Sequence, residues 1–228
     1  MSKKQSLPIR PPLTRDAYER LTIDELVRLK LTEDERALVR EINREREVER
    51  MASSARLKIE GEPIVAELQA VGCNVSSVWD LVNTNEKYTE AIPVLLKHLL
   101  LPYSDSIRDG IARSLAVPEP EVRKAWPILV AEYRKAPIGR GIVAPGDTKE
   151  YRLGAKDGLA CALNANVTDE TLIEYIDLAK DRTLGESRVL LLSALRRSKS
   201  PLAKQAIAEL EHDPDLSKEI ATWRKRKA

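Results

Sequence analysis

Three stretches of the chain repeat one arrangement of apolar and small residues: SIRDGIARSLAV from Ser106, GAKDGLACALNA from Gly154 and ESRVLLLSALRR from Glu186. Laid in register, Ile107, Ile111, Ala112, Ser114 and Leu115 correspond to Ala155, Leu159, Ala160, Ala162 and Leu163. These correspond in turn to Ser187, Leu191, Leu192, Ala194 and Leu195. The spacing i, i+4, i+5, i+7, i+8 is one face of a helix, and small residues recur on it at Ser114, Ala162 and Ala194. Starts at 106, 154 and 186 give intervals of 48 and 32 residues. The excess in the first interval is a Gly/Pro-rich insertion, APIGRGIVAPGDT, from Ala136.

A second apolar helix precedes each copy. EKYTEAIPVLLKHLL places Ile92, Leu95, Leu96 and Leu99 together, and PEVRKAWPILVAEYRK places Val122, Trp126, Leu129 and Tyr133 together. DETLIEYIDLAKD offers Leu172, Ile173, Ile176 and Ala179. A last pair, PLAKQAIAELEH and LSKEIATWRKRK, sets Leu202, Ala206, Ile207 and Leu210 against Leu216, Ile220 and Trp223. A two-helix unit of this size cannot bury its apolar face alone, so the pattern predicts stacked units with the repeated helices as an inner wall.

The first part of the chain reads differently. Residues 1–20 hold several Pro and charges without periodicity and are predicted to be a flexible tail. Residues 21–72 are predicted to be a helical extension: a short helix capped by Thr22, then a long helix opened by a capping box at Thr32 and Glu35. That long helix is crowded with opposite charges and carries a thin stripe of Leu38, Ile42, Met51, Ala55 and Ile59. Such a helix is expected to lie along the outside of something, or else to pair with a second copy. EPIVAELQAVG predicts a further helix ended by Gly72, and VSSVWDLVNT another beginning near Ser76. Residues 73–228 form the repeat domain.

Charged residues make up 32% of the chain, yet the net charge is +2 and the two signs are interleaved, which argues against a dedicated polyanion binder. The exceptions are the ends, MSKK and WRKRKA. Cys73 and Cys161 stand alone within helical patterns, so reduced thiols are expected rather than a disulfide. His98 and His212 lack ligand-spaced companions, and no metal or cofactor is expected. An apolar leader or membrane span is not evident, so a cytoplasmic protein is expected.

Candidate contacts are basic or aromatic. The residue after the first register position is basic in every copy: Arg108, Lys156 and Arg188. In one reading each hydrogen-bonds or pairs with an acidic residue in the adjoining turn or helix, forming a ladder between repeats, favoured by the neighbouring Asp109 and Asp157; the other makes them a basic stripe, joined by Arg113, Arg196 and Arg197, that recruits an acidic protein surface. Arg140, between two glycines in the insertion, is placed as an exposed contact. Trp79 and Trp126 fall on apolar stripes and are expected in the core, whereas Trp223 beside Arg/Lys could grip a partner. GRGIVAPG lacks the strand and glycine spacing of a dinucleotide turn.

With D-S-I-R opening at Asp105 and A-x-x-L closing at Ala112 and Ala160, the helix pairs from Thr89 to Lys227 resemble HEAT repeats. Within that group they look most like the short bacterial variety named after phycobilisome lyases. The resemblance implies an all-α, right-handed α-α superhelix whose second helices line a concave partner-binding face, and it carries no catalytic residues. The expected role is therefore a non-catalytic protein-binding scaffold, adaptor or regulator. Two rivals remain: a nucleic-acid binder of the HEAT-like DNA glycosylase type, with Trp79–Asp80 as its aromatic and carboxylate pair, and a lyase or lyase chaperone for a phycobilin.

Overall fold

The protein, seen here as a computed structural model, is described over residues 10–225, with side chains as far as Trp223. It divides into two compact units, residues 1–54 and residues 55–228.

In the first unit, α1 (Arg15–Arg20) is capped by Thr14, whose hydroxyl accepts from the Ala17 N–H, and α2 (Ile23–Arg28) by a capping box of Thr22 and Glu25. The long helix α3 (Glu33–Ala70) opens with the box expected at Thr32 and Glu35. Glu35 also accepts from the Leu13 N–H at 2.8 Å and from the Arg10 guanidinium at 2.6 and 2.7 Å. These donors, Arg10 foremost, hold its carboxyl down to about 2. The residues read as a flexible tail are thus ordered from Arg10 onward, because Leu13 and Tyr18 turn inward onto Ile42 and Glu35 fixes the backbone. Residues 1–9 lie outside the described residues.

The second unit begins with the rest of α3, which does not break where a separate helix was expected from Glu62. Pro63 sits inside it and forfeits one backbone hydrogen bond, but Ile64 and Leu68 carry the apolar face into the core at 0% exposure. The expected stripe does not hold together: Ile42 is buried, whereas Met51, Ala55 and Ile59 are exposed. The helix stops where Gly72 was expected to end it. Gly72 has φ +91°, and the Cys73 N–H returns to the Leu68 carbonyl at 3.0 Å.

Short elements follow: α4 (Val78–Val82), α5 (Ile92–Leu99), α6 (Asp105–Ser114), α7 (Pro120–Lys124) and α8 (Trp126–Lys135). A two-stranded antiparallel pairing, β1 (Arg140–Gly141) with β2 (Tyr151–Arg152), falls in the insertion. Then come α9 (Ala155–Asn166), α10 (Leu172–Lys180), a 3-10 segment (Arg182–Leu191), α11 (Leu192–Arg197), α12 (Pro201–Leu210) and α13 (Ser217–Lys225). Apart from the short pairing, the regular structure of the described residues is helical, and the fold is all-α.

Two helices differ from their predicted extent. Pro127 has no N–H to continue a helix through Ala125, so 120–135 forms α7 and α8 rather than one element. The third copy starts as 3-10 turns after Gly185, whose φ of +73° interrupts the path, and becomes α-helical at Leu192. Ile173 and Leu202, expected inside, are 64% and 49% exposed; Tyr175 is the fully buried residue on α10.

All fifteen residues of the three register sets are buried, none more than 8% exposed, and the apolar ones other than Ala155 share one hydrophobic cluster. The copies pack in order, α6 against α9 and α9 against the third. They also run the same way. At one end of the first pair, Asp105 of α6 accepts from Gly154 N and Ala155 N of α9, at 2.6 and 3.1 Å. At the other, Asn166 of α9 donates to the Leu115 carbonyl at 3.1 Å. Between α9 and α11, Asn164 accepts from Ala194 N at 2.9 Å and Ser193 Oγ at 2.7 Å.

Glycine sets how near α6 and α9 come. A Cβ on Gly158 would lie 2.6 Å from Asp109 Oδ1, 2.9 Å from the Asp109 carbonyl oxygen and 3.0 Å from Ala112 Cβ. The matching residue of the first copy, Gly110, does the same for α4, where a Cβ would lie 2.6 Å from Val78 Cγ1. In an ordinary helix interior Gly→Ala stabilises by about 0.5–1 kcal/mol. Here the sign should reverse: Gly158→Ala is expected to destabilise by about 1–3 kcal/mol in urea unfolding, since backbone must move to admit the methyl group. A neutral or stabilising result would show that the two helices are not in such close contact.

Candidate functional site

The three basic register residues point inward. Arg188 is 0% exposed. Its guanidinium donates to the Gly185 and Ala179 carbonyls, both at 3.1 Å, to Asp213 at 3.0 and 3.4 Å, and to Asp215 at 2.9 Å. The Arg188 bond holds the Asp213 carboxyl below its usual range. Lys156 is 4% exposed, and its ammonium donates to the carbonyls of Tyr133 and Ala136 at 2.8 and 2.9 Å while lying over the Tyr133 ring. Those carbonyls end α8, and Ala179 ends α10, so each cation closes the C-terminus of the helix preceding its own copy, where the dipole favours positive charge. Arg108 reaches forward instead and pairs with Glu132 of α8, itself buried. Lys156 and Arg188 are therefore not surface contacts, and Arg108 is spent on Glu132. A ladder between neighbouring helices is the reading that these contacts realise.

Acidic residues gather on the same helices. Asp105 caps α9 across the interface, and Asp109 lies against Gly154 and Gly158 while accepting from Arg113 Nε at 2.8 Å. Asp157 meets Arg152 at 3.3 Å. Burial, opposed by Arg113 and aided by Asp105 and Asp157, pushes the Asp109 carboxyl up to about 6. Sequence pattern gave no hint of Asp105, Asn164 or Asn166 as ties between copies; a polar residue at a helix end signals a local cap, and only the packing shows that its partner belongs to another helix.

The remaining candidates stay at the surface. Arg113 is half-buried on α6; Arg196 and Arg197 are exposed at the end of α11. The Arg196 guanidinium lies over the Trp223 ring, 4.9 Å from its centre, and Trp223 Nε1 donates to Glu219 at 2.9 Å. Trp223 thus grips its own chain and seals the last helix against the core. Trp126 is buried with Nε1 donating to Glu174 at 2.7 Å, whereas Trp79 is only partly buried, against Gly110. Arg140 is exposed on β1 as expected, donating to the Glu150 carbonyl at 2.6 Å. The rest of the insertion is tied down. Val143 O accepts from Ser106 N at 3.0 Å, and Asp147, buried, accepts from Ala144 N and Arg56 at 2.9 Å each.

Reactive groups elsewhere have structural work. Asp80 accepts from Ser76 N, Ser76 Oγ and Ser77 N, which lowers its carboxyl and closes the turn before α4. Cys73 and Cys161 are free thiols, each pushed up by burial. His98 is buried and stacked on Tyr103, whose hydroxyl meets Nδ1 at 2.8 Å. Among the described residues no group of His, Cys, Asp or Glu is placed to hold a metal, and no helix is long and apolar enough to cross a membrane. No family model, curated protein or solved structure matches the chain.

Asp109 gives a pH test of the interface. A carboxyl held at about 6 in the fold and near 3.8 unfolded binds its proton more tightly in the folded state. Its contribution is fullest below about pH 4 and is lost as pH rises through about 6, on the order of 2–3 kcal/mol. Asp109→Asn should therefore gain stability relative to wild type between pH 4 and pH 7, read as diverging urea midpoints. Parallel pH profiles for the two proteins would place Asp109 in solvent instead.

Proposed function

We propose that the repeat region is a right-handed, HEAT-like α-solenoid and that the protein is a non-catalytic scaffold, adaptor or regulator. Its partner is another protein with an acidic surface, met in the cytoplasm. The observation that carries this reading is the parallel, side-by-side packing of the three register helices. It brings equivalent positions, Arg113, Cys161 and Ser193, into one row, with Arg196 and Arg197 at the row's end. A row assembled from successive helices is rigid before binding, so little ordering cost opposes association. Charge complementarity then acts mainly on association rate and on choice of partner.

The rivals have less support. A glycosylase-type carboxylate must be available to chemistry, and Asp80 is occupied by three donors. A lyase that carried the chromophore on its own thiol would need a thiolate, and burial shifts both thiols away from that form. The binding reading is tested with the partner co-purified from native lysate and identified by mass spectrometry. The double variant Arg196→Glu, Arg197→Glu, which leaves the Arg113–Asp109 bond in place, should weaken its affinity at least tenfold in calorimetry, with an unchanged circular dichroism spectrum. Undiminished affinity would remove the row as the binding face. A nucleic-acid mobility shift with a steep salt slope would restore the first rival.

A further inference from the structure

A cavity of about 380 Å³ opens where the insertion meets the start of the second and third copies. Its walls come from Pro137–Arg140, from Arg152, Leu153, Lys156 and Asp157, and from Gly185–Ser187. We propose that this cavity is an oxyanion site, taking a carboxylate or phosphate group between Arg140, Arg152 and Lys156. The inference is independent of the row of exposed side chains on the repeat helices.

The first argument is the register of the short pairing. Arg140 stands directly opposite Arg152 across two antiparallel strands, where like charges repel, and nothing in the backbone requires arginine at either place. An anion between or beside them turns this repulsion into shared attraction. The second argument is the spare hydrogen-bonding capacity. A guanidinium has five N–H donors. Arg140 uses one on the Glu150 carbonyl, and Arg152 meets Asp157 at 3.3 Å and Glu186 at 3.9 Å. At the inner wall, Lys156 spends two of its three N–H bonds on carbonyls, and burial lowers its affinity for the proton. A bound anion would return the charge partner that burial removed.

The cavity also contains acid, and the balance decides its chemistry. Asp157 and Glu186 line it with the three cations, leaving one net positive charge. Glu186 is 85% exposed and faces water, while burial pushes the Asp157 carboxyl up and so weakens its claim on Arg152. Gly139 and Gly185, both with positive φ, keep side chains out of two walls, and Ile138 beside Gly185 adds apolar surface to the lining. A group with one anionic end and an apolar neighbour fits such a lining.

Two sources supply that chemistry: a free small anion, or an acidic side chain of a bound protein. Inorganic phosphate and an acetylated, amidated Leu-Glu-Leu-Glu peptide serve as probes, titrated by calorimetry at constant ionic strength. Saturable binding of either, lost at least tenfold in Arg140→Gln/Arg152→Gln and retained in the exposed control Arg123→Gln, supports the site. Tighter binding of phosphate assigns it to a free anion, and tighter binding of the peptide to a protein partner. Failure of both probes to saturate, or equal binding by the double variant, overturns the proposal. Both arginines are exposed, so the double variant is expected to keep the wild-type circular dichroism spectrum and melting temperature, and a folded variant makes a loss of binding interpretable.

Discussion

The approach of α6 to α9 leaves no space for a methyl group, and much of the second unit follows from that contact. With Gly158 against the Asp109 backbone, the two helices approach more closely than any side chain at that position would allow. A slide of one turn toward the end of α9 would set the Ala162 side chain where the glycine now admits a carbonyl. Asp105 and Asn166 then close the contact at its two ends, so position along the axis is fixed by hydrogen bonds as well as by shape. Each of the buried leucines of the copies, Leu115, Leu159, Leu163, Leu191, Leu192 and Leu195, adds about 1.5–3 kcal/mol relative to exposure. That gain is non-directional; glycine and the end ties are what select one stack from several.

Burying cations between helices follows from the same geometry. Short helices stacked in parallel bring many C-termini into the interior, each with carbonyls that lack an intrahelical donor. Lys156 and Arg188 supply those donors with charge attached. A buried ion pair is often no more stabilising than an apolar substitute, but removing one partner costs about 3–5 kcal/mol because the other is stranded. Asp213, 4% exposed, would keep only Arg182, at 3.2 Å, as a charged partner without Arg188. The arrangement penalises wrong stacking more than it strengthens right stacking, which suits a chain whose apolar faces are nearly interchangeable.

The helical period made the repeated faces legible, and all fifteen register residues fell inside. Capping chemistry placed Thr22, Thr32 and the Gly72 stop, because these signals are local. Signals that depend on neighbours failed. Ile173 and Leu202 satisfied a helical face but meet water, since nothing among the described residues covers that side of α10 and α12, and Leu13 and Tyr18 read as tail because their partner Ile42 is over twenty residues away. The basic residue at one position in every copy was visible; its direction was not. A repeated cation describes equally a surface stripe or an internal ladder, and burial alone separates them. Of the candidate contacts, Arg113, Arg140, Arg196, Arg197 and Trp223 retain solvent contact, while Lys156 and Arg188 do not.

That separation bears on how such a surface can diversify. The cations that hold neighbouring helices are inside, so the residues at the matched outer positions carry less of the stacking: an arginine in the first copy, a half-buried cysteine in the second and a serine in the third. Two of them still take part, since Arg113 bonds Asp109 beneath it and the Ser193 hydroxyl donates to Asn164 of α9. Exchanging Arg197 alters what the surface presents without touching these contacts, whereas exchanging Ser193 removes a tie to α9 and exchanging Arg113 changes the charge balance around a buried carboxyl. Solvent contact and stacking are thus largely carried by different residues of the same helices, and they meet at Asp109.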